Sequence, residues 1–197
     1  QVCCAGSRLF VHETLHDEFV DTFSHYARGL KQGDPLDKTT EMGPQVSSEQ
    51  LEKVLSYVAI AQEEGATVVA GGNRAAERGY YVEPTVIDGV TNQMRVAQEE
   101  IFGPVSAVIS WKDEEELVRQ ANDTPFGLAA AVWTKDIKRA HRIARTVRAG
   151  TVWVNCYNAF DSASPFGGFK QSGYGREMGS YALELYTSVK SVWVDLS

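Results

Sequence analysis

The sequence predicts an α/β fold with a largely parallel sheet flanked by helices. Amphipathic helical stretches alternate with short apolar runs, the arrangement of strands joined through helices. No internal repeat or low-complexity linker interrupts that alternation. The 197 residues, 43% of them hydrophobic, suffice to bury one sizeable core rather than two. One domain is therefore expected. No strand is followed by Gly-x-Gly-x-x-Gly, so the chain carries no Rossmann fingerprint.

Each element has its own warrant. Arg8 to Val11 reads as a short strand. Leu15, Phe19, Phe23, Tyr26 and Leu30 are spaced for the buried face of a helix that Thr14 begins, with Asp17 three residues on. Residues 31–46, holding Gly33, Pro35, Gly43 and Pro44, form a loop. Ser47 and Gln50 make a capping box for a helix carrying Leu51, Val54, Leu55, Val58 and Ala61 and ending near Glu64. Strand-like runs follow at 67–70 and 81–87 around a glycine-rich turn, then a short irregular or helical segment. Val105 to Trp111 is a strand. Asp113 and Glu116 cap a helix that ends near Asn122, and Leu128 to Trp133 is a strand. Ile137, Ala140, Ala144 and Val147 mark a helix stopped by Gly150 in the C-terminal position. Thr151 to Asn155 is a strand. A long glycine-rich loop at 156–180, a short helix near Tyr181 and a last strand, Val189 to Asp195, complete the chain. A loop of that length in a compact domain more often marks function than a failed element.

Composition narrows the function. A formal charge of −7 argues against nucleic acid or an anionic membrane surface as partner. No apolar run approaches the roughly eighteen residues of a membrane span, and no basic leader with an apolar core opens the sequence. Three cysteines, two of them adjacent, make a poor disulfide framework, and a reducing, cytoplasmic location is the simplest reading. The chain opens on Gln1 rather than Met, inside the motif that matters most, and reads as a fragment.

Several patterns invite chemistry. His12-Glu13-Thr14-Leu15-His16 spells HExxH, which needs both histidines on one helix facing one metal. Here His12 ends a strand and Thr14 begins the helix, so the rings should not converge, and no metal site is assigned. Arg139, Arg142, Arg145 and Arg148 suggest a phosphate stripe, but they occupy polar helix faces towards a C-terminus that favours positive charge, and read as a solvated face. Gln1-Val2-Cys3-Cys4-Ala5-Gly6-Ser7 is different. A thiol among small residues is open to a substrate and, as thiolate, is a good nucleophile; an inert small core residue is the plain alternative. Glu99-Glu100 ahead of Phe102-Gly103-Pro104 offers a carboxylate for vicinal hydroxyls and a face for a planar ring, or simply an acidic turn.

Four stretches in register, the Gln-x-Cys opening, Glu99 to Pro104, Asn122-Asp123-Thr124-Pro125-Phe126-Gly127-Leu128 and Pro165-Phe166-Gly167-Gly168-Phe169-Lys170-Gln171-Ser172-Gly173, closely resemble the NAD(P)-dependent aldehyde dehydrogenase superfamily from first residue to last. The resemblance implies the catalytic, nucleophile-bearing domain of that fold over residues 1–186, without the cofactor domain, and an oligomerisation strand at 187–197. It makes Cys3 the nucleophile. Glu100 matches the residue that holds the nicotinamide ribose and Phe102 the one that packs against the nicotinamide. Gln50 and Lys53, one turn apart, match positions reaching towards the same part of the cofactor, although solvated helix residues would look the same. Val2, Phe160 and Phe166 resemble the lining of the aldehyde tunnel, where core packing is the alternative for either ring. Glu177 matches a carboxylate implicated in proton movement, or serves as an ion-pair partner. Cys4 has no assigned chemistry, and Cys156 reads as a buried thiol.

The implied reaction oxidises an aldehyde to a carboxylic acid with NAD or NADP through a cysteine thiohemiacetal and thioester, in a homo-oligomer, dimer or tetramer. In the family the cofactor domain, the activating glutamate and the oxyanion-hole asparagine precede the cysteine, so this chain alone is expected to be inactive. The resemblance leans towards the broad-specificity and betaine-aldehyde branches and chooses neither aldehyde nor cofactor. A non-catalytic structural or assembly domain, and a cysteine hydrolase, are the rival readings. None of the four histidines sits in a recognisable nucleophile–base context.

Overall fold

The computed structural model describes residues 1–197. The chain divides into two compact units, Gln1–Asp123 and Thr124–Ser197, where the sequence led to one domain and a terminal strand. Each unit has its own sheet, which is the reason for the division.

In the first unit the strands are β1 (Arg8–His12), β2 (Thr67–Ala70), β3 (Thr85–Asp88) and β4 (Val105–Trp111), in the order β1-β4-β3-β2. β1 and β3 run parallel to β4, with Leu9 opposite Val108 and Val86 opposite Ser106. Only β2 is antiparallel. Helices α1 (His16–Gly29), α2 (Ser48–Glu63), α3 (Arg95–Gln98) and α4 (Glu114–Asn122) accompany this sheet. Side chains alternate across a strand, so β3 and β4 feed two cores. Val86 and Val108 pack with Val20 and Ala27 of α1. Ile87, Ala107 and Ile109 pack with Leu51, Val54 and Val58 of α2. Strands apolar on both faces, covered by helices on each side, are what a mainly parallel sheet requires.

Capping follows the sequence in two helices and departs from it in one. The Ser47 hydroxyl accepts from the Gln50 amide at 3.3 Å, and the Asp113 carboxylate accepts from the Glu116 amide at 2.9 Å. Thr14 does not cap α1; its hydroxyl pairs with His12 Nδ1 at 2.9 Å and Leu15 occupies the cap position. The buried face of α1 is also only in part the expected one. Val20, Ser24 and Ala27 face the sheet with the expected Phe23 packed partly against the same core, whereas Leu15 and Tyr26 are exposed. Both stripes satisfy helical spacing, and the smaller side chains let the helix lie closer to the strands.

The second unit pairs β5 (Ala129–Val132) in parallel with β6 (Thr151–Val154), linked through α5 (Ile137–Thr146) and followed by short 3-10 turns and α6 (Leu183–Tyr186). α5 ends at Thr146 with Val147 as its cap, before Gly150. Gly150 instead permits a close backbone approach, since a Cβ there would lie 1.6 Å from the Gly167 carbonyl oxygen. The expected strand at 189–195 is not formed, because within the chain it has no neighbour to pair with; Val189, Trp193 and Leu196 are exposed.

Candidate active site

Cys3 lies on an open turn that an Ala5 N–H to Val2 carbonyl bond of 3.0 Å closes. One end of this segment is tied to the sheet, where the Ala107 amide donates to the Ser7 carbonyl at 2.8 Å. The other is tied to the approach of α2, where the Val46 amide donates to Gln1 Oε1 at 3.1 Å. Val2 and Cys3 are exposed and Cys4 is buried; all three cysteines are free thiols. Burial, and then the charge of neighbouring Cys3, pushes the Cys4 thiol above its ordinary value. Of two adjacent sulfurs, the accessible one is thus Cys3. Cys156, expected to be buried, is exposed just past the end of β6.

The loop Glu99–Gly103 is organised by one face of α2. Gln50, Lys53 and Tyr57 stand three and four residues apart, hence on one side of the helix. Gln50 Nε2 donates to the carbonyls of Ile101 and Phe102 at 2.9 and 3.0 Å. That amide nitrogen therefore braces the loop instead of completing the capping box. Tyr57 Oη donates to Glu99 Oε2 at 2.6 Å, and Lys53 Nζ lies 6.0 Å from the Tyr57 ring centre. Arg95 grips Glu99 with Nε to Oε1 at 2.8 Å and Nη2 to Oε2 at 2.9 Å. The Arg95 guanidinium, then the Tyr57 hydroxyl, pull the Glu99 carboxyl down to about 2. Glu100, one residue on, is exposed and forms no ion pair or hydrogen bond. Phe102 is half-exposed with φ of 58°, the left-handed region, where a bulky residue costs about 1–3 kcal/mol unless its surroundings impose it. Gly103 packs flush on α2, since a Cβ would come within 2.3 Å of Val54 Cγ2.

In the second unit the structure brings the three sequence candidates together. Phe166 and Glu177 exchange two backbone hydrogen bonds of 2.7 Å, and the Phe160 ring meets Phe166 edge-on at 5.4 Å. The Glu177 carboxylate is exposed and takes part in no ion pair, so the ion-pair alternative is not realised. Aromatic contacts extend further than foreseen: Phe160 packs on Trp153, which meets Tyr157, which stacks on Trp133. The Asn122–Leu128 and Pro165–Gly173 stretches are interlocked, with the Gly127 amide donating to Ser172 Oγ at 3.0 Å and the Phe169 amide to the Gly127 carbonyl at 2.8 Å.

The remaining motifs have structural occupations. His12 packs edge-on against Trp111 at 4.7 Å, whereas His16 bridges Asp17 at 3.0 Å and Asp88 at 2.8 Å. Arg139, Arg142, Arg145 and Arg148 are exposed along and just beyond α5. The Asp17 hydrogen bond, then those to Asp88, raise the His16 pKa. A raised folded value means the clamp contributes fully below the unfolded value of 6.5 and is lost as pH climbs through the higher folded value. Thermal unfolding followed by circular dichroism should therefore show a melting temperature that falls across that window. The slope should vanish in His16→Gln, and an equally steep slope in that variant would contradict the assignment.

Residues 1–192 match the family model described as aldehyde dehydrogenase family. The chain belongs to the aldehyde dehydrogenase family. It is 50% identical over 194 residues to the human mitochondrial aldehyde dehydrogenase, covering 98% of this chain and 38% of that one. Among solved structures, the NAD+ complex of a Bacillus cereus aldehyde dehydrogenase superposes with a TM-score of 0.96 at 52% identity, over all of this chain and 40% of the other. A Staphylococcus aureus betaine aldehyde dehydrogenase in complex with NAD+ gives 0.91 at 43% identity, over 94% of this chain and 38% of its own. The chain thus spans about two fifths of the length of the aldehyde dehydrogenases it matches. Sequence reasoning does not single out Tyr57 or Arg95. The signals are present, as Tyr57 shares the spacing of Gln50 and Lys53, and Arg95 precedes Glu99 by one helical turn.

Proposed function

We propose that the protein containing this chain oxidises an aldehyde to a carboxylic acid with a nicotinamide cofactor, Cys3 being the nucleophile. The observation that carries the reading is the exposed Cys3 thiol on a turn of small residues beside a buried cysteine. As thiolate, Cys3 attacks the aldehyde carbon to give a thiohemiacetal, whose oxyanion needs preorganised donors such as the Cys3 amide. A bound nicotinamide supplies the hydride acceptor that leaves the acyl group on sulfur as a thioester. Water then releases the acid and restores the thiol; Glu177, an exposed carboxylate of the second unit, is the candidate for moving a proton. Val2, next to Cys3 in the first unit, is an apolar side chain open to an aldehyde, and the paired Phe160 and Phe166 rings of the second unit are the further candidates for such a lining.

The residues present suit the cofactor. Glu100 keeps its carboxylate free for ribose hydroxyls, and half-exposed Phe102 offers a ring beside it. Lys53 and the amide oxygen of Gln50 stand on the same helix face. The NAD+ complexes of the Bacillus cereus and Staphylococcus aureus relatives support an NAD-type cofactor. Three free thiols suit a reducing, cytoplasmic setting, and the exposed apolar residues 187–197 suit strand pairing within a homo-oligomer.

The test follows NADH absorbance with the whole protein across aliphatic, aromatic and betaine aldehydes, beside the 197-residue chain alone. Saturable turnover is expected from the whole protein and little or none from the chain. Losing one oxyanion donor costs about 10²–10³ in rate, before the loss of the base. Turnover by the chain at the rate of the whole protein, or a whole protein inert to the panel, would overturn the reading.

A further inference from the structure

The two adjacent carboxylates, Glu99 and Glu100, have opposite situations. Both Glu99 oxygens are taken, by Tyr57 Oη at 2.6 Å and by Arg95 through Nε at 2.8 Å and Nη2 at 2.9 Å. The Arg95 guanidinium also lies 5.6 Å from the Tyr57 ring centre, so the three side chains hold one another. Glu100 has no partner at all. An isolated surface ion pair fixes little, but a bidentate pair inside a network is the exception.

We propose that Tyr57 and Arg95 are positioning residues for cofactor binding: by locking Glu99 they set the start of the Glu100–Phe102 loop and leave Glu100 as the carboxylate offered to a nicotinamide ribose. The inference rests on the roles proposed above for Glu100 and Phe102. Three further features make the loop responsive to its entry point. Gln50 holds the Ile101 and Phe102 carbonyls, Gly103 abuts Val54, and Phe102 keeps a backbone conformation that a bulky residue holds only under constraint. Release of Glu99 frees the residue immediately before this constrained segment. The ring of Tyr57 packs on the α2 core, so Tyr57→Phe keeps the packing and removes only the hydroxyl.

The experiment measures NAD affinity of the whole protein by calorimetry for wild type, Tyr57→Phe, Arg95→Gln and Glu99→Ala, with steady-state kinetics alongside. Tyr57→Phe should raise the Kd and KM for NAD about tenfold, the size of one hydrogen bond to a charged group. The KM for aldehyde and kcat should stay within about twofold, and the melting temperature should be nearly unchanged. Adding Tyr57→Phe to Glu99→Ala should weaken NAD binding no further, because the hydroxyl acts through that carboxylate. Arg95→Gln should weaken NAD binding in the same selective way. Wild-type affinity in Tyr57→Phe, or a full additional loss in the Glu99→Ala background, overturns the proposal while leaving the enzymatic reading in place. A wild type that binds no NAD removes that reading, and the proposal with it.

Discussion

Gly150→Ala should abolish the native fold of the second unit. The added methyl would sit 1.6 Å from the Gly167 carbonyl oxygen, 2.8 Å from its carbon and 3.5 Å from the Gly168 Cα. All three are backbone atoms, so no rotamer change relieves the clash. The β6 entry and the glycine-rich loop must part, taking with them the hydrogen bond from the Gly150 amide to the Gly127 carbonyl at 3.1 Å. A loss of more than about 4 kcal/mol is expected, at the extreme of single substitutions. Gly29→Ala is the contrast. Nothing lies within 4 Å of a Cβ there, and alanine at a helix end is neutral or stabilising by about 0.5–1 kcal/mol. Melting curves of the two variants check both statements; a Gly150→Ala melting temperature within a few degrees of wild type would refute the close-approach argument.

That glycine shows where the sequence was legible and where it was not. Its position after a periodic helix suggested a C-terminal stop, a local role. Its actual neighbour, Gly167, lies far along the chain and carries no local signal. The same division runs through the rest of the molecule. β4 has the predicted span, Val105–Trp111, because an apolar run between loops needs no distant information. The caps at Ser47 and Asp113 are set by residues three positions away. Which of two stripes α1 buries depends on the sheet it meets: of the larger residues the pattern chose, Phe23 packs on the core while Leu15 and Tyr26 stay exposed. A strand at 189–195 depends on a partner strand that the chain does not provide. In the site, Cys3, Glu100 and Phe102 stood out by motif. The Tyr57–Arg95–Glu99 network joins residues 42 positions apart and emerges only from the fold.

Cys3→Ala is the direct test of the central claim. Covalent catalysis divides one difficult step into two easier ones, and without the thiol neither the thiohemiacetal nor the thioester forms. A protein that loses its nucleophile keeps what binding and orientation supply, so turnover should fall by roughly 10⁴-fold or more with cofactor affinity retained. Stability should hardly change, since Cys3 is exposed. Cys4→Ala, next to it, should lower stability by leaving a smaller side chain in a buried site, yet leave the nucleophile in place. The decisive measurement is NADH production by the whole protein with Cys3→Ala beside wild type, at saturating cofactor and aldehyde. Turnover lost in the variant while NAD still binds is the predicted result; turnover that survives the substitution would remove Cys3 from the chemistry and contradict the account.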